Sequence, residues 1–125
     1  MNIPEEFKKV NLTGLDIETA LEYCDSDYDS FKTRLMIVGE YMPELIENCK
    51  NYIASGDFKA YTVEIHAIKG NVLGVGFKEL SAKAKDQEMA GKEGRFDYIK
   101  ETCGGVFEEL SKMAADIRDF LANNQ

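Results

Sequence analysis

Cysteine is scarce in this chain, with Cys24, Cys49 and Cys103 the only three in 125 residues, and no two of them form a C-x-x-C pair. Each sits singly at an apolar position, the pattern of reduced core thiols in a reducing compartment, so a cytoplasmic location is the expectation. Basic charge is also in deficit. Fifteen Lys and Arg against 23 Asp and Glu leave a formal net charge of -8, and no nucleic-acid partner is expected, because contact with a phosphate backbone wants a basic face. No run of about eighteen apolar residues is present, and the start Met1-Asn2-Ile3-Pro4-Glu5-Glu6 has neither a basic nor an apolar signal region, so no membrane association is expected. Strict alternation of apolar and polar residues is missing as well, which argues against strands.

The length suits one domain, 1–125, able to bury a core without staples. Residues 1–13 show no clear period. Only Ile3, Phe7, Val10 and Leu12 could tuck in, so this stretch reads as a loosely docked arm on a helical body spanning 14–121. Asp16 suits the N-cap of a short helix to about Cys24, with Glu18 favourable to its dipole. Phe31, Leu35, Val38, Met42, Leu45, Cys49 and Ile53 then recur at spacings of four and three, which predicts a helix from about Tyr28 to Ala54. Pro43 inside it removes a backbone donor, and a kink is expected over Gly39 to Met42. Gly56 supplies the stop and Asp57 the next cap.

The pattern continues with a helix from Phe58 to about Val75, another from about Phe77 to Ala90, a loop Gly91 to Gly94, and a last helix from Phe96 to about Leu121. That last helix carries Phe96, Ile99, Cys103, Val106, Leu110, Met113, Ile117 and Leu121 on one stripe, and Gly104-Gly105 marks either a bend or a close approach to a neighbour. Long amphipathic segments with short connections give an all-α fold: an antiparallel four-helix bundle with an N-terminal helical cover.

Most catalytic constellations fail on inspection. Asp25, Asp27 and Asp29 alternate as an EF-hand loop begins, but Ser30 stands where glycine is needed and Met36 where a bidentate glutamate is needed, so Asp25 to Asp27 reads as a turn and cap. Gly70 to Lys78 lacks the ending of a phosphate-binding P-loop, and Gly74-Val75-Gly76 misses the final glycine of a dinucleotide fingerprint. A bundle di-metal site would need Glu at Val63 and a second histidine. No serine or cysteine is recognisably paired with the histidine to make a triad. No cofactor or metal of the chain's own is expected.

One histidine remains. Phe58, Tyr61, Ile65, Ile68, Val72 and Val75 form the apolar stripe of its helix, and His66, Lys69, Gly70 and Gly74 fall beside that stripe. A lone histidine on a helix is more often structural than reactive, so the neighbours carry the argument. A neutral imidazole is a good nucleophile. A lysine one turn on can offset the charge of a phosphoryl group, and two interior glycines, at a cost of about 2 kcal/mol together, imply that another surface comes close.

The pattern His66-x-x-Lys69-Gly70 with Gly76 ten residues after the histidine resembles the signature of histidine-containing phosphotransfer (HPt) domains of two-component phosphorelays. Gly14-Leu15-Asp16 with Ala20-Leu21, Pro43-Glu44-Leu45, Ser55-Gly56-Asp57, and Leu80, Ala84 and Glu88 resemble the surrounding segments of that family, so the likeness covers Leu12 to Leu110. It implies that a phosphoryl group arrives from a phospho-aspartate on a response-regulator receiver domain, which carries the Mg2+, and leaves to the aspartate of another. A hybrid sensor histidine kinase is a further candidate partner. By this resemblance His66 is the phosphoacceptor, Lys69 the phosphoryl charge partner, Gly70 and Gly74 steric clearance, and Thr62 and Leu73 docking contacts. Leu73, in Asn71-Val72-Leu73, is bulkier than the residue this family commonly has there and narrows the docking surface. A monomer without autonomous kinase activity is expected. The alternative is a helical adaptor or kinase inhibitor that binds receivers or kinases without phosphotransfer.

Overall fold

A computed structural model describes residues 2–124. Among these, a 3-10 turn, Glu5–Lys9, precedes five α-helices: α1 Ile17–Tyr23, α2 Tyr28–Ala54, α3 Phe58–Gly74, α4 Lys78–Lys92 and α5 Phe96–Asn123. No strand occurs among the described residues. α2 to α5 form the antiparallel bundle: α2 packs on α3 and α5, α4 packs on α3 and α5, and α1 covers α3. None of the helices is long and apolar enough to cross a membrane.

The three bundle turns share one device. Gly56, Gly76 and Gly94 each take positive φ, and the residue after each glycine bonds back to the helix it has left: Asp57 to the Tyr52 carbonyl, Phe77 to Val72, Arg95 to Ala90. This left-handed glycine cap satisfies carbonyls that a helix end would leave orphaned, and it reverses the chain in three residues. Gly76 is the most constrained of them, since a Cβ there would stand 2.8 Å from both Ala20 Cβ and Leu15 Cδ1. Its carbonyl also accepts from Asp16 N at 2.8 Å, tying the turn after α3 to the start of α1.

α2 runs unbroken through Pro43. Pro43 has no N–H to offer the Gly39 carbonyl one turn back, and Arg118 Nη1 on α5 donates to that carbonyl instead at 2.8 Å. Gly39 allows the approach, for a Cβ there would meet Ile117 Cγ2 at 3.1 Å. The segment where a kink is expected is also a close contact between α2 and α5. α5 is likewise continuous through Gly104 and Gly105, whose missing side chains face open space rather than a neighbouring helix.

Three expectations are corrected by packing. The arm read as loosely docked is anchored within the described residues 2–13: Phe7 is buried, with its ring 5.2 Å from those of both Tyr28 and Phe31, and Leu12 is buried too. Gly91 and Lys92 belong to α4, not to a loop. Phe96 does not enter the core; it is 40% exposed and stacks on Phe58 at 4.3 Å across the end of the bundle.

Gly91 stays helical because α3 and α4 are pressed together there. A Cβ on Gly91 would fall 2.0 Å from Thr62 Oγ1 and 3.1 Å from Thr62 Cβ, and rotating the hydroxyl aside would still leave the Cβ contact and sacrifice its bond to the Phe58 carbonyl. Gly91→Ala is therefore expected to destabilise by about 1–3 kcal/mol through overpacking, although alanine favours a helix by about 1 kcal/mol. Adding Thr62→Ala should recover most of the loss. Urea unfolding checks this, and a single variant as stable as the parent would contradict the packing argument.

Candidate functional site

α3 and α4 meet along a seam, and the residues on it follow from two helical stripes. On α4, Leu80, Ala84 and Glu88 lie four apart on the face turned to α3, so the third position puts a carboxylate where the first two put apolar groups. Glu88 is buried, its side chain only 3% exposed. An acid in that position needs partners. His66 Nδ1 lies 2.7 Å from Glu88 Oε2, Lys69 Nζ lies 2.7 Å from Oε1, and Lys92, one turn further along α4, reaches Oε2 at 3.1 Å.

The electrostatics follow from this geometry. Burial alone would raise the Glu88 carboxyl, but the hydrogen bonds from Lys69, His66 and Lys92, with the charge of Lys69, override it and lower the carboxyl from 4.5 to about 2. Glu88 is therefore ionised at neutral pH and can only accept. The His66–Glu88 contact must then have Nδ1–H as donor, which in the neutral ring leaves the lone pair on Nε2. The His66 side chain is 63% exposed. The ring is thus gripped at one nitrogen and open to solvent elsewhere.

Of the residues singled out in the sequence, the structure brings His66 and Lys69 together through Glu88. Lys69 is not a freely solvated charge: it is paired, its side chain is 25% exposed, and its backbone carbonyl accepts from Ser81 Oγ at 3.0 Å. Gly70 is exposed and a Cβ there would meet nothing within 4 Å. Gly74 has the same open space but is the last residue of α3, not an interior position. Thr62 is half-buried against Gly91 in the α3–α4 seam, and Leu73 is half-buried near the end of α3.

Glu88 and Lys92 were missed as members of the site. Glu88 appeared only as one position of a likeness. The available signal was a charged residue continuing the apolar stripe of α4, with a lysine four residues on. The cysteines offer no rival nucleophile: all three are free and buried, and burial, with smaller contributions from Glu64 and Cys103, pushes the Cys49 thiol up to about 12. Among the described residues no group of three or more His, Cys, Asp or Glu is placed to hold a metal ion. Comparison with protein-family models, curated proteins and solved structures returns no match.

A carboxylate with a lowered folded pKa stabilises the fold above its unfolded value, and that contribution disappears as pH falls through the folded value. For Glu88 the window runs from 4.5 down to about 2. Over that range the parent should lose about 2–3 kcal/mol more stability than Glu88→Gln, since each tenfold difference in proton affinity between folded and unfolded chain is worth about 1.4 kcal/mol. Urea unfolding of both proteins across the window measures it. Parallel stability curves would contradict the assigned charge state.

Proposed function

We propose that the chain is a phosphorelay intermediate of the HPt kind, taking a phosphoryl group onto Nε2 of His66 from the phospho-aspartate of a receiver domain and passing it to the aspartate of another. The observation that carries this reading is the 2.7 Å contact between Nδ1 of an exposed histidine and a buried, ionised carboxylate. In the forward step the Nε2 lone pair attacks phosphorus, the N–P bond forms and the acyl phosphate P–O bond breaks, returning the receiver's aspartate as carboxylate. The ring gains positive charge shared with Nδ1–H, and the buried carboxylate of Glu88 faces that charge. A fixed group aimed at developing charge lowers the barrier without reorganising. No proton need leave Nδ1.

Lys69 and Lys92 hold the other side of the balance. Both rest on Glu88, and both are flexible cations able to turn toward phosphoryl oxygens once the group is on Nε2, as phosphoryl transfer depends mainly on positioning and charge. The receiver would supply Mg2+ and the acidic site. Gly70 then serves as clearance: with no neighbour within 4 Å of its absent Cβ, packing inside the bundle does not account for it. The reading brings with it a cytoplasmic monomer whose partners are receivers and, through them, a hybrid kinase.

Two variants test the proposal together. Charged with a phospho-receiver and Mg2+, the parent should acquire acid-labile, alkali-stable label, and His66→Gln should acquire none. Gly70→Gln should stay folded, gaining up to about 1 kcal/mol in helix propensity, yet lose transfer on the order of a hundredfold, because a displacement of about 1 Å at the reacting atoms has that effect. Label on His66→Gln, or full transfer by Gly70→Gln, would overturn the assignment. A parent that binds receivers but never acquires label would be an adaptor.

A further inference from the structure

Beside Glu88 sits a second buried polar residue that the transfer chemistry does not use. Gln87 is 1% exposed. Its Oε1 accepts from Tyr61 OH on α3 at 2.6 Å, and its Nε2 donates to Thr102 Oγ1 on α5 at 2.7 Å. Thr102 Oγ1 donates in turn to the Tyr98 carbonyl at 2.7 Å, and Tyr98 OH donates to Asp86. Three consecutive residues of α4 are thus tied in three directions: Asp86 to α5, Gln87 to both α3 and α5, Glu88 to His66 and Lys69 on α3.

From this arrangement we infer that Gln87 is a positioning residue: the chain Tyr61–Gln87–Thr102 fixes the rotation of α4 about its own axis and so holds the Glu88 carboxylate on Nδ1 of His66. Adjacent residues on a helix point about 100° apart, so a side chain clamped between α3 and α5 sets the direction of the next one. The tolerance is small. With a side-chain radius of about 5–6 Å, a turn of about 15° carries a carboxylate about 1.5 Å, enough to break a 2.7 Å bond. Lys92 and Lys69 do not provide this constraint, because both are flexible and would follow the carboxylate. An apolar residue at 87 would fill the same space yet leave α4 free to settle at another angle. The role in phosphotransfer rests on the function proposed above; the effect on the imidazole does not.

The readout is the tautomer of His66, seen in long-range 1H–15N spectra of the labelled full chain at a pH where the ring is neutral. An unconstrained imidazole favours Nε2–H, whereas the contact with Glu88 requires Nδ1–H. The parent should be predominantly Nδ1–H. Gln87→Leu should shift to mainly Nε2–H, and transfer from a charged receiver should slow by about tenfold or more at equal folded fraction. Gln87→Leu leaves the Tyr61 hydroxyl buried without an acceptor, so Tyr61→Phe/Gln87→Leu, which removes donor and acceptor together, should fold and show the same shift. A folded variant that keeps the parent's tautomer overturns the inference, as does a parent that is mainly Nε2–H. A tautomer shift in a chain that no receiver can label supports the positioning role while sinking the relay reading. Label with an unmoved tautomer in the variants does the reverse.

Discussion

A carboxylate shut between two helices is stable only if its charge is met by donors, and the donors that meet it are drawn to one place. Glu88 is in that position. It takes His66, Lys69 and Lys92 at 2.7, 2.7 and 3.1 Å, and the requirement that its charge be met fixes which nitrogen of the imidazole is engaged and where the nearer lysine rests. Lys69 is the least exposed of the three donors, so removing it leaves the buried charge least well met. The fold and the chemistry therefore depend on the same group.

The glycines divide by what surrounds them. Gly39 and Gly91 are places where one helix comes against another, Gly76 is held by its left-handed conformation and by α1, and Gly70 has open space in front of it. Only a glycine of the last kind asks for something outside the chain. Exposed, helical and one turn from an exposed imidazole, Gly70 is a position where the cost of glycine is not repaid by the bundle's own packing. The pair Gly104 and Gly105 also meets nothing, and the structure offers no physical account of it.

How much of this could be read in the residues alone follows from how local each signal is. Bundle helices announce themselves by period, so α2 from Tyr28 to Ala54 and the start of α3 at Phe58 were legible, as was the stop at Gly56. The end of α4 was not, because Gly91 looks like a terminator unless one knows that Thr62 presses against it. The arm was misjudged for the same reason: whether Phe7 is buried depends on Tyr28 and Phe31, more than twenty residues away. At the site, His66 and Lys69 stood out by spacing on one helix. Glu88, 22 residues from His66, belongs to another element, and only the packing of α4 on α3 shows that its carboxylate meets the imidazole at hydrogen-bond distance.

The central claim is that Glu88 holds Nδ1–H and so reserves Nε2 as the nucleophile. The most direct test is to phosphorylate the 15N-labelled chain with phosphoramidate or a charged receiver and to read which ring nitrogen couples to 31P. Coupling to Nε2 is the expected result, with Nδ1 still carrying its proton. A phosphoryl group on Nδ1 would contradict the account, because the atom assigned to the carboxylate would then be the one that reacts.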